Sequence, residues 1–306
     1  MSMLRSGGEC AAAPGATPFV SVLLPTVRAW PEVSAALDSL LSQTEAPPFE
    51  ILLLDGCGDA LASPPDPRVR WLRFPGRDAF ALRAEGLAAA RGAIIAVSED
   101  HCIAPANWLA SMAAAHRADR APALVGATVN HPDSARSAMD RANFILTFAG
   151  LNLHRLDVRL RRLPVPTNLS FKREALPPAA LAPGELEYRW LAELSAAGAL
   201  GVAPSVVLQH RQCWGAAAPG VHLASGRSFG ASVREAPWRH RLHWWSALPL
   251  LPLRLANLTL PDLIAGAAGA RVSIADILCL ATLIAANVCG QVIGAAIGAG
   301  ASRRRL

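Results

Sequence analysis

Hydrophobic residues in the first two thirds of the chain alternate between short continuous runs and stretches with helical spacing. The runs are rich in Val, Ile and Leu and predict strands buried on both faces, a pattern typical of parallel sheets. Strands are predicted at residues 19–26 (ended by Pro25), 49–55, 68–74, 93–100, 123–130 and 202–210. Helices are predicted at residues 30–43, 79–92, 107–119 and 184–198, whereas residues 131–165 show no clear alternation. The expected fold class is α/β, with a mostly parallel sheet flanked by helices.

Acidic residues stand where two predicted strands end, at Asp55 and at Glu99-Asp100. Ligands in such sheets bind beyond the carboxyl ends of the strands. A loop cap at Asp55 and a solvated turn at Glu99-Asp100 are the alternative interpretations. His101 fits a loop or core histidine better than a ligand, and His210 fits a ligand and a strand-end residue equally well.

The pattern changes near residue 236, where the chain becomes strongly apolar. WRHRLHWW (238–245) combines Arg, His and Trp, and 248–270 is apolar but interrupted by three prolines. Residues 277–300 carry no charge and are long enough to span a bilayer. A buried amphipathic helix is the alternative for that stretch.

Basic residues flank the apolar region on both sides, at 238–241 and 303–305. Because positive residues prefer the cytoplasmic side, both ends are expected there. This favours a hairpin, a re-entrant segment or an interfacial segment over a single crossing. Gly290, Gly294 and Gly298 lie on one helix face, and this spacing permits a homodimer through close helix packing.

Composition excludes several classes of protein. The 306 residues are 52% hydrophobic and 17% charged, which is too apolar for a disordered chain. The net charge of +6 fits a nucleotide or lipid headgroups but is too weak to indicate a nucleic-acid partner. The six cysteines form no CxxC pair and are expected to be reduced thiols. Residues 1–17 are predicted to be a disordered leader without an apolar export signal.

Seven pieces of this sequence form an ordered set. They are the opening strand with Thr26, the Asp55 loop, the helix ALRAEGLAAARG, the acidic strand end followed by Pro105 and Trp108-Leu109, the segment TNLSFKR (167–173), the glutamate-rich helix and the strand end at His210. Because these pieces occur in the same order in family 2 glycosyltransferases of the GT-A fold, the chain resembles that family over residues 18–212.

The resemblance implies inverting transfer of a sugar from a nucleotide-sugar donor to an acceptor hydroxyl. It implies Mg²⁺ or Mn²⁺ as cofactor, because these ions bind carboxylate and phosphate oxygens. The implied site residues are Thr26, Asp55, Arg83 and Glu99 for the donor, Asp100 and His210 for the metal, Asn168 for the acceptor, and Glu187 or Glu185 as general base. Of the two glutamates, Glu187 is preferred by its spacing from Gly198.

The sequence departs from the family pattern at three places. Ser98-Glu99-Asp100 stands where the family usually has Asp-x-Asp, and Arg83-Ala84 replaces an Arg-Asn pair. The Gln-x-x-Arg-Trp motif of processive members is missing, so one sugar per acceptor is expected. The departures at Ser98 and Ala84 keep open a catalytically weakened relative that serves as a membrane binding or assembly component.

The expected organisation is therefore a GT-A domain at 18–235 and a membrane-associated tail at 236–306, with an interfacial segment at 238–270 and an apolar helix at 273–300. We expect a bacterial-type enzyme at the cytoplasmic face of the inner membrane. Its partners would be membrane lipids and a lipid-linked or saccharide acceptor, in cell envelope polysaccharide or glycolipid synthesis.

Overall fold

The structure is a computed structural model that describes residues 17–27, 33–57, 66–152, 156 and 166–302, apart from the side chain of Tyr188. The predicted leader, except for its last residue, and the three arginines at 303–305 lie outside the described residues.

One sheet contains all eight strands of the described residues. They are β1 (Val20–Thr26), β2 (Phe49–Asp55), β3 (Val69–Arg73), β4 (Ile94–Val97), β5 (Cys102–Ile103), β6 (Ala123–Asn130), β7 (Leu169–Lys172) and β8 (Leu200–His210). Their order across the sheet is β3-β2-β1-β4-β7-β6-β8-β5.

Strand direction determines which residues meet at one edge of the sheet. β3, β2, β1 and β4 are mutually parallel, and β7 is antiparallel to both β4 and β6. Therefore β6 points the same way as β4, and β8 follows because it is parallel to β6. The carboxyl ends at Thr26, Asp55 and His210 consequently lie along the same edge. This confirms the predicted mostly parallel α/β sheet.

Pro25 does not end the first strand as predicted. β1 continues to Thr26, which pairs with Asp55 of β2. Pairing with β4 covers only Val20–Leu23, so Pro25 lies beyond that ladder, where a missing N–H is tolerated.

Helices cover both faces of the sheet and continue beyond it. They are α1 (Ser34–Leu41), α2 (Ala79–Ala89), α3 (Trp108–Ala118), α4 (Ala138–Phe148), α5 (Leu191–Ala196), α6 (Ala218–Glu235), α7 (Trp238–Ala247), α8 (Leu251–Ile264) and α9 (Ile274–Ile297). α4 forms in the region without a clear sequence pattern. The predicted helix at 184–198 begins as a π-helical turn, Leu186–Trp190, that leads into α5.

The hydrophobic core is divided into two clusters by the sheet. One cluster joins strand residues to α1 and α3, with Leu37 and Trp108 among its fully buried side chains. The other joins strand residues to α2 and α4 and extends to Leu280 and Leu283 of α9. The C-terminal helix thus contributes side chains to the same core as the sheet.

α6 and α9 lie side by side and run in the same direction, with glycines at their contact. A Cβ at Gly290 would meet the carbonyl oxygen of Leu223, and one at Gly294 would meet that of Arg227. On the facing helix, a Cβ at Gly226 would meet the carbonyl oxygen of Asn287. The missing side chains therefore allow the two backbones to approach closely.

This packing corrects the predicted homodimer through Gly290, Gly294 and Gly298. The first two glycines face α6 of the same chain, and the carbonyl oxygen of Gly298 accepts a 2.9 Å hydrogen bond from Arg227 Nε. That face is therefore not open to a second copy. The predicted boundary after residue 235 separates α6 from α9 in the sequence, although these two helices pack along one another.

The start of α9 is attached to α4 by a buried ion pair. Arg141 Nη2 lies 2.7 Å from Asp276 Oδ1, and Asp276 also completes a capping box with Ser273. The hydrogen bonds from Ser273, together with Arg141, outweigh the effect of burial and lower the pKa of Asp276. Both ends of α9 are thus held by polar contacts as well as by apolar packing.

Replacing Gly226 with alanine is expected to lower the free energy of unfolding by about 1–3 kcal/mol, because the added methyl group overpacks a backbone contact. Gly220→Ala is the matched control, since its Cβ would meet nothing within 4 Å in the same helix. That control should be neutral or stabilise by up to about 1 kcal/mol. Urea denaturation of both variants measures the difference, and equal stabilities would contradict the close packing of α6 on α9.

Candidate active site

A short loop after β4 forms the centre of the candidate site. Ser98 begins this loop, and its amide donates to the Leu23 carbonyl of β1. After the loop, Cys102 pairs with His210 at the end of β8. The loop thus joins the end of β4 to the end of β8, which brings its side chains close to His210.

His101 lies between two acidic residues and a second histidine. Its Nδ1 is 2.9 Å from Asp100 Oδ1, and its Nε2 is 2.9 Å from His210 Nε2. The same Nε2 lies 3.3 Å from Glu99 Oε2, and His210 Nε2 is 3.9 Å from that oxygen. The two imidazole rings meet edge to face, with centroids 4.6 Å apart.

These contacts shift two pKa values strongly. Burial by itself raises the pKa of Glu99, but the hydrogen bond from His101 and nearby positive charges outweigh it and lower the pKa to about 2. Burial likewise lowers the pKa of His101, yet its hydrogen bonds to Asp100 and Glu99 and their charges raise it to about 9. At neutral pH the structure therefore holds a positive charge on the ring between the two carboxylates.

Thr26 and Asp100 are joined across the edge of the sheet. Thr26 Oγ1 donates to Asp100 Oδ2 over 3.0 Å, while the other oxygen of Asp100 accepts from His101. Thr26, predicted to bind the donor, thus orients an acidic residue of the site in this structure.

Asp55 lies at the end of β2 within a second group of polar side chains. Its Oδ1 accepts from the Cys57 amide at 2.8 Å, and its Oδ2 accepts from Trp71 Nε1 at 3.2 Å. Arg73 lies 3.8 Å from Oδ2 and also contacts the Trp71 ring. The sequence analysis did not select Trp71 and Arg73, although their position in the strand next to Asp55 was the available signal.

Arg83 and Glu187 form a buried ion pair, with 2.5 Å between Nε and Oε1 and both side chains 7% exposed. α2 supplies the arginine, and the π-helical turn supplies the glutamate. Such π-helical turns frequently occur at functional sites. Arg83 also acts electrostatically on Glu99, which links the pair to the acidic loop.

The structure separates the two glutamates that the sequence left open as base. Glu185 forms a surface contact with Arg189 one helical turn away, at 3.3 Å, and its side chain is 35% exposed. Glu187 alone of these two joins the buried group.

Asn168 is a structural residue in this fold, which corrects its predicted role as an acceptor contact. Its side chain is 1% exposed; Oδ1 accepts from Trp108 Nε1, and Nδ2 donates to the carbonyls of Ala127 and Val206. Its φ of 56° is left-handed, a conformation that asparagine tolerates better than most residues. These bonds hold α3, β6 and β8 together, so the amide does not face a ligand.

Asn168→Ala is expected to lower the free energy of unfolding by about 2–5 kcal/mol, because it leaves the buried Trp108 N–H without its acceptor and places alanine at a positive φ. Asn168→Gly removes the same hydrogen bonds but relieves the backbone, so it should lose less. Thermal and urea unfolding of both variants test this. A stable Asn168→Ala variant with only a weakened acceptor affinity would restore the sequence-based interpretation.

Other predicted residues form two adjoining groups, one around His101 and one made of Arg83 and Glu187. Glu99, Asp100 and His210 meet around His101, the residue that sequence analysis assigned to a loop or core role. Its sequence signal was its place directly after the acidic pair, but only the pairing of β5 with β8 shows that it contacts His210.

Comparison with solved structures shows similarity to glycosyltransferases. A mannosyltransferase from Pyrobaculum calidifontis, PcManGT, solved in complex with GDP-Man and Mn²⁺, is 16% identical with a TM-score of 0.55, covering 95% of this chain and 90% of that chain. TarS residues 1–349 from S. aureus is 14% identical with a TM-score of 0.44, covering 87% and 90%. At these identities the likeness shows the fold alone.

A comparison with curated protein sequences found no match. The sequence model described as Glycosyl transferase family 2 matches residues 21–176, just over half of the 306 residues. The match begins in β1 and continues beyond β7, so it includes the Asp55 and Glu99-Asp100 strand ends. The chain therefore belongs to glycosyl transferase family 2 and has the GT-A fold.

Proposed function

We propose that this glycosyltransferase transfers one sugar, with inversion, from a nucleotide-sugar donor to the hydroxyl of a membrane-proximal acceptor, with a divalent metal ion as cofactor. The observation that carries the proposal is the group of Glu99, Asp100, His101 and His210 at the carboxyl edge of the sheet, next to the Arg83–Glu187 pair. Several ligand atoms and a buried carboxylate converge there.

The nucleoside part of the donor is assigned to the edge formed by Asp55. This carboxylate follows a buried strand and is held by the Cys57 amide and the Trp71 indole. Carboxylate oxygens accept hydrogen bonds from base and ribose edges. Arg73, 43% exposed beside Asp55, supplies a positive charge for an anionic donor.

The donor set fits a divalent cation. Ligand atoms of Glu99, His101 and Cys102 lie within 4.8 Å of one another, and the nitrogen of His210 adjoins them. When bound, the metal neutralises charge that develops on the leaving diphosphate. PcManGT, which shares the fold, was solved with GDP-Man and Mn²⁺, and this supports a metal-dependent donor site here.

Glu187 is proposed as the general base. As the acceptor oxygen forms its bond to the anomeric carbon, the bond from that carbon to the diphosphate oxygen breaks. The hydroxyl proton passes to the Glu187 carboxylate. Attack from the side opposite the leaving group inverts the configuration. Arg83 holds the carboxylate at 2.5 Å and fixes its orientation for this step.

Glu187→Gln is expected to lower kcat by about 10²–10⁴-fold, because glutamine cannot accept the acceptor proton. Glu185→Gln is the matched control from the same helical segment and should retain near wild-type activity. The measurement is transfer of labelled sugar from UDP-, GDP-, CDP- and dTDP-sugars to a lipid extract and to free saccharides, with Mn²⁺ and with Mg²⁺.

Melting temperatures must accompany these rates, because Glu187→Gln also removes a buried ion pair. A folded Glu187→Gln variant with unchanged kcat would refute the assignment of the base. If the folded wild-type protein binds a donor but transfers no sugar, the chain would instead be a membrane binding or assembly component.

The second part of the proposal concerns the membrane. Within the described part of the chain, no residue of α7 is buried, although the helix contains three tryptophans and Leu242. A ten-residue helix is not stable alone in water, so this one requires a surface to pack against. Between residues 236 and 275 the sequence has four arginines and one acidic residue, the buried Asp262. We therefore assign this surface to an anionic bilayer at the cytoplasmic face.

The membrane-facing helices are attached next to the candidate site. Asn130, at the end of β6, donates to the Ala268 carbonyl between α8 and α9 at 2.8 Å. Asn130 is also the register partner of His210. A bilayer on this surface would lie close to the carboxyl edge of the sheet, which supports a lipid-linked acceptor.

Among the helices of the described residues, α9 alone is long and apolar enough to cross a membrane. Its partner α6, however, runs alongside it and contains His222, Arg227 and Arg234. Crossing the bilayer would carry these polar residues into the hydrocarbon region at high cost. We therefore propose that α7, α8 and the exposed face of α9 lie on the membrane surface instead of spanning it.

Leu242→Glu is expected to weaken binding to vesicles of phosphatidylcholine mixed with phosphatidylglycerol by about tenfold or more, since burying a leucine contributes about 1.5–3 kcal/mol. Leu181→Glu, an exposed leucine on the catalytic body, is the matched control and should bind like wild type. Co-sedimentation at several salt concentrations measures both variants. Equal binding of the two, or no preference of wild type for anionic vesicles, would contradict this surface.

A further inference from the structure

Three side-chain atoms converge on one point between the acidic loop and the end of β8. They are His101 Nε2, His210 Nε2 and Glu99 Oε2, and the sides of their triangle measure 2.9, 3.3 and 3.9 Å. The three residues come from different positions in the fold, since His210 ends β8 and the other two belong to the loop after β4.

The triangle has the size of one face of a metal coordination shell. Two ligand atoms that bind one ion at about 2.1 Å lie about 3.0 Å apart in octahedral geometry and about 3.4 Å apart in tetrahedral geometry. The 2.9 and 3.3 Å sides are close to those spacings, and the 3.9 Å side between Glu99 and His210 is about 0.5 Å longer than the tetrahedral spacing. Small side-chain adjustments would therefore place all three atoms on one ion.

Asp100 holds one of these ligands by its other nitrogen. Asp100 Oδ1 lies 2.9 Å from His101 Nδ1, and Asp100 Oδ2 accepts from Thr26 at 3.0 Å. Histidines that bind metals commonly donate their second N–H to a carboxylate, which fixes the tautomer and the ring orientation. The contact with Asp100 turns His101 Nε2 toward His210 and Glu99.

Resting on the proposed function, we infer that the metal centre of this chain is rich in nitrogen, with Glu99, His101 and His210 as ligands and Asp100 as the positioning residue, and that it selects Mn²⁺ over Mg²⁺. This differs from the sequence-based expectation that Asp100 itself binds the metal. Ser98 stands at the first acidic position of the usual motif, and the two imidazoles supply the ligands in its place.

The ligand chemistry explains the selectivity. Mg²⁺ prefers oxygen ligands and gives up its water reluctantly, whereas imidazole nitrogens suit transition metals. Metal binding displaces the proton that His101 carries in the metal-free site, and the imidazole nitrogens of His101 and His210 then favour Mn²⁺. Co²⁺ should bind more tightly than Mn²⁺.

The test is metal binding by the full chain without nucleotide. Titration of the metal-free protein with MnCl₂ and with MgCl₂, followed by calorimetry, should give at least a tenfold lower Kd for Mn²⁺. Pulsed electron paramagnetic resonance of bound Mn²⁺ should show coupling to nitrogen from two imidazoles. This spectroscopic result comes from the wild-type protein and does not depend on the folding of a variant.

Variants separate the ligands from the positioning residue. His101→Gln and His210→Gln should each remove one nitrogen coupling and weaken Mn²⁺ binding by at least tenfold. Asp100→Asn should weaken binding by about 10–100-fold with both couplings retained. His131→Gln is the matched control, because His131 follows β6 next to His210 and contacts Asp133 instead. It should bind Mn²⁺ like wild type.

Several results would overturn the inference. They are equal affinity for Mn²⁺ and Mg²⁺, bound Mn²⁺ without nitrogen coupling, or a folded His101→Gln variant that binds Mn²⁺ like wild type. Sugar transfer with Mg²⁺ and no nitrogen coupling would overturn this centre and leave the proposed function standing. Two nitrogen couplings without sugar transfer from any donor would support this metal centre and contradict the proposed function.

Discussion

The carboxylates of Glu99 and Asp100 impose the main constraint on this structure, because two neighbouring acidic groups at the edge of a core require positive or hydrogen-bonding partners. The structure provides these partners through a chain of contacts from Thr26 to Asp100, His101 and His210. That chain connects the first strand of the sheet to the last long strand. The site therefore also links β1 to β8. Any cation bound by His101 and His210 would replace the contact between these two side chains, which holds this edge of the sheet together.

The C-terminal helices obey a different constraint, which is the close approach of two glycine-bearing faces. α9 is apolar along its whole length, but one face packs on α6 and its first turn is fixed to α4 by Arg141. α6 carries polar residues and packs along α9, and α9 also packs on the core of the sheet. The helix pair is therefore part of the same body as the sheet. What remains exposed is a belt of apolar and cationic side chains, and that belt adjoins the carboxyl edge of the sheet at Asn130.

The Arg83–Glu187 pair shows how the fold joins distant parts of the chain at the candidate site. The arginine comes from α2, which packs on β1 and β2, and the glutamate comes from a π-helical turn more than a hundred residues later. Arg83 also acts on Glu99 through its charge. One guanidinium is thus shared between the proposed base and the acidic loop, which couples the position of that carboxylate to the charge of the loop.

The sequence by itself predicted six of the eight described strands, most helices and the family, because continuous apolar runs and strand-end acidic residues are local features. It also predicted Asp55, Arg83, Glu99 and Glu187 as site residues. Only the tertiary structure decided which side chains meet: His101 became central because β5 pairs with β8, Asn168 became structural because its amide is used by three elements, and Glu185 was left on the surface. The spacing of the glycines in α9 likewise predicted a dimer contact, whereas in the structure α6 packs against Gly290 and Gly294. Each of these outcomes depends on contacts between residues far apart in the chain, and local spacing carries no information about such contacts.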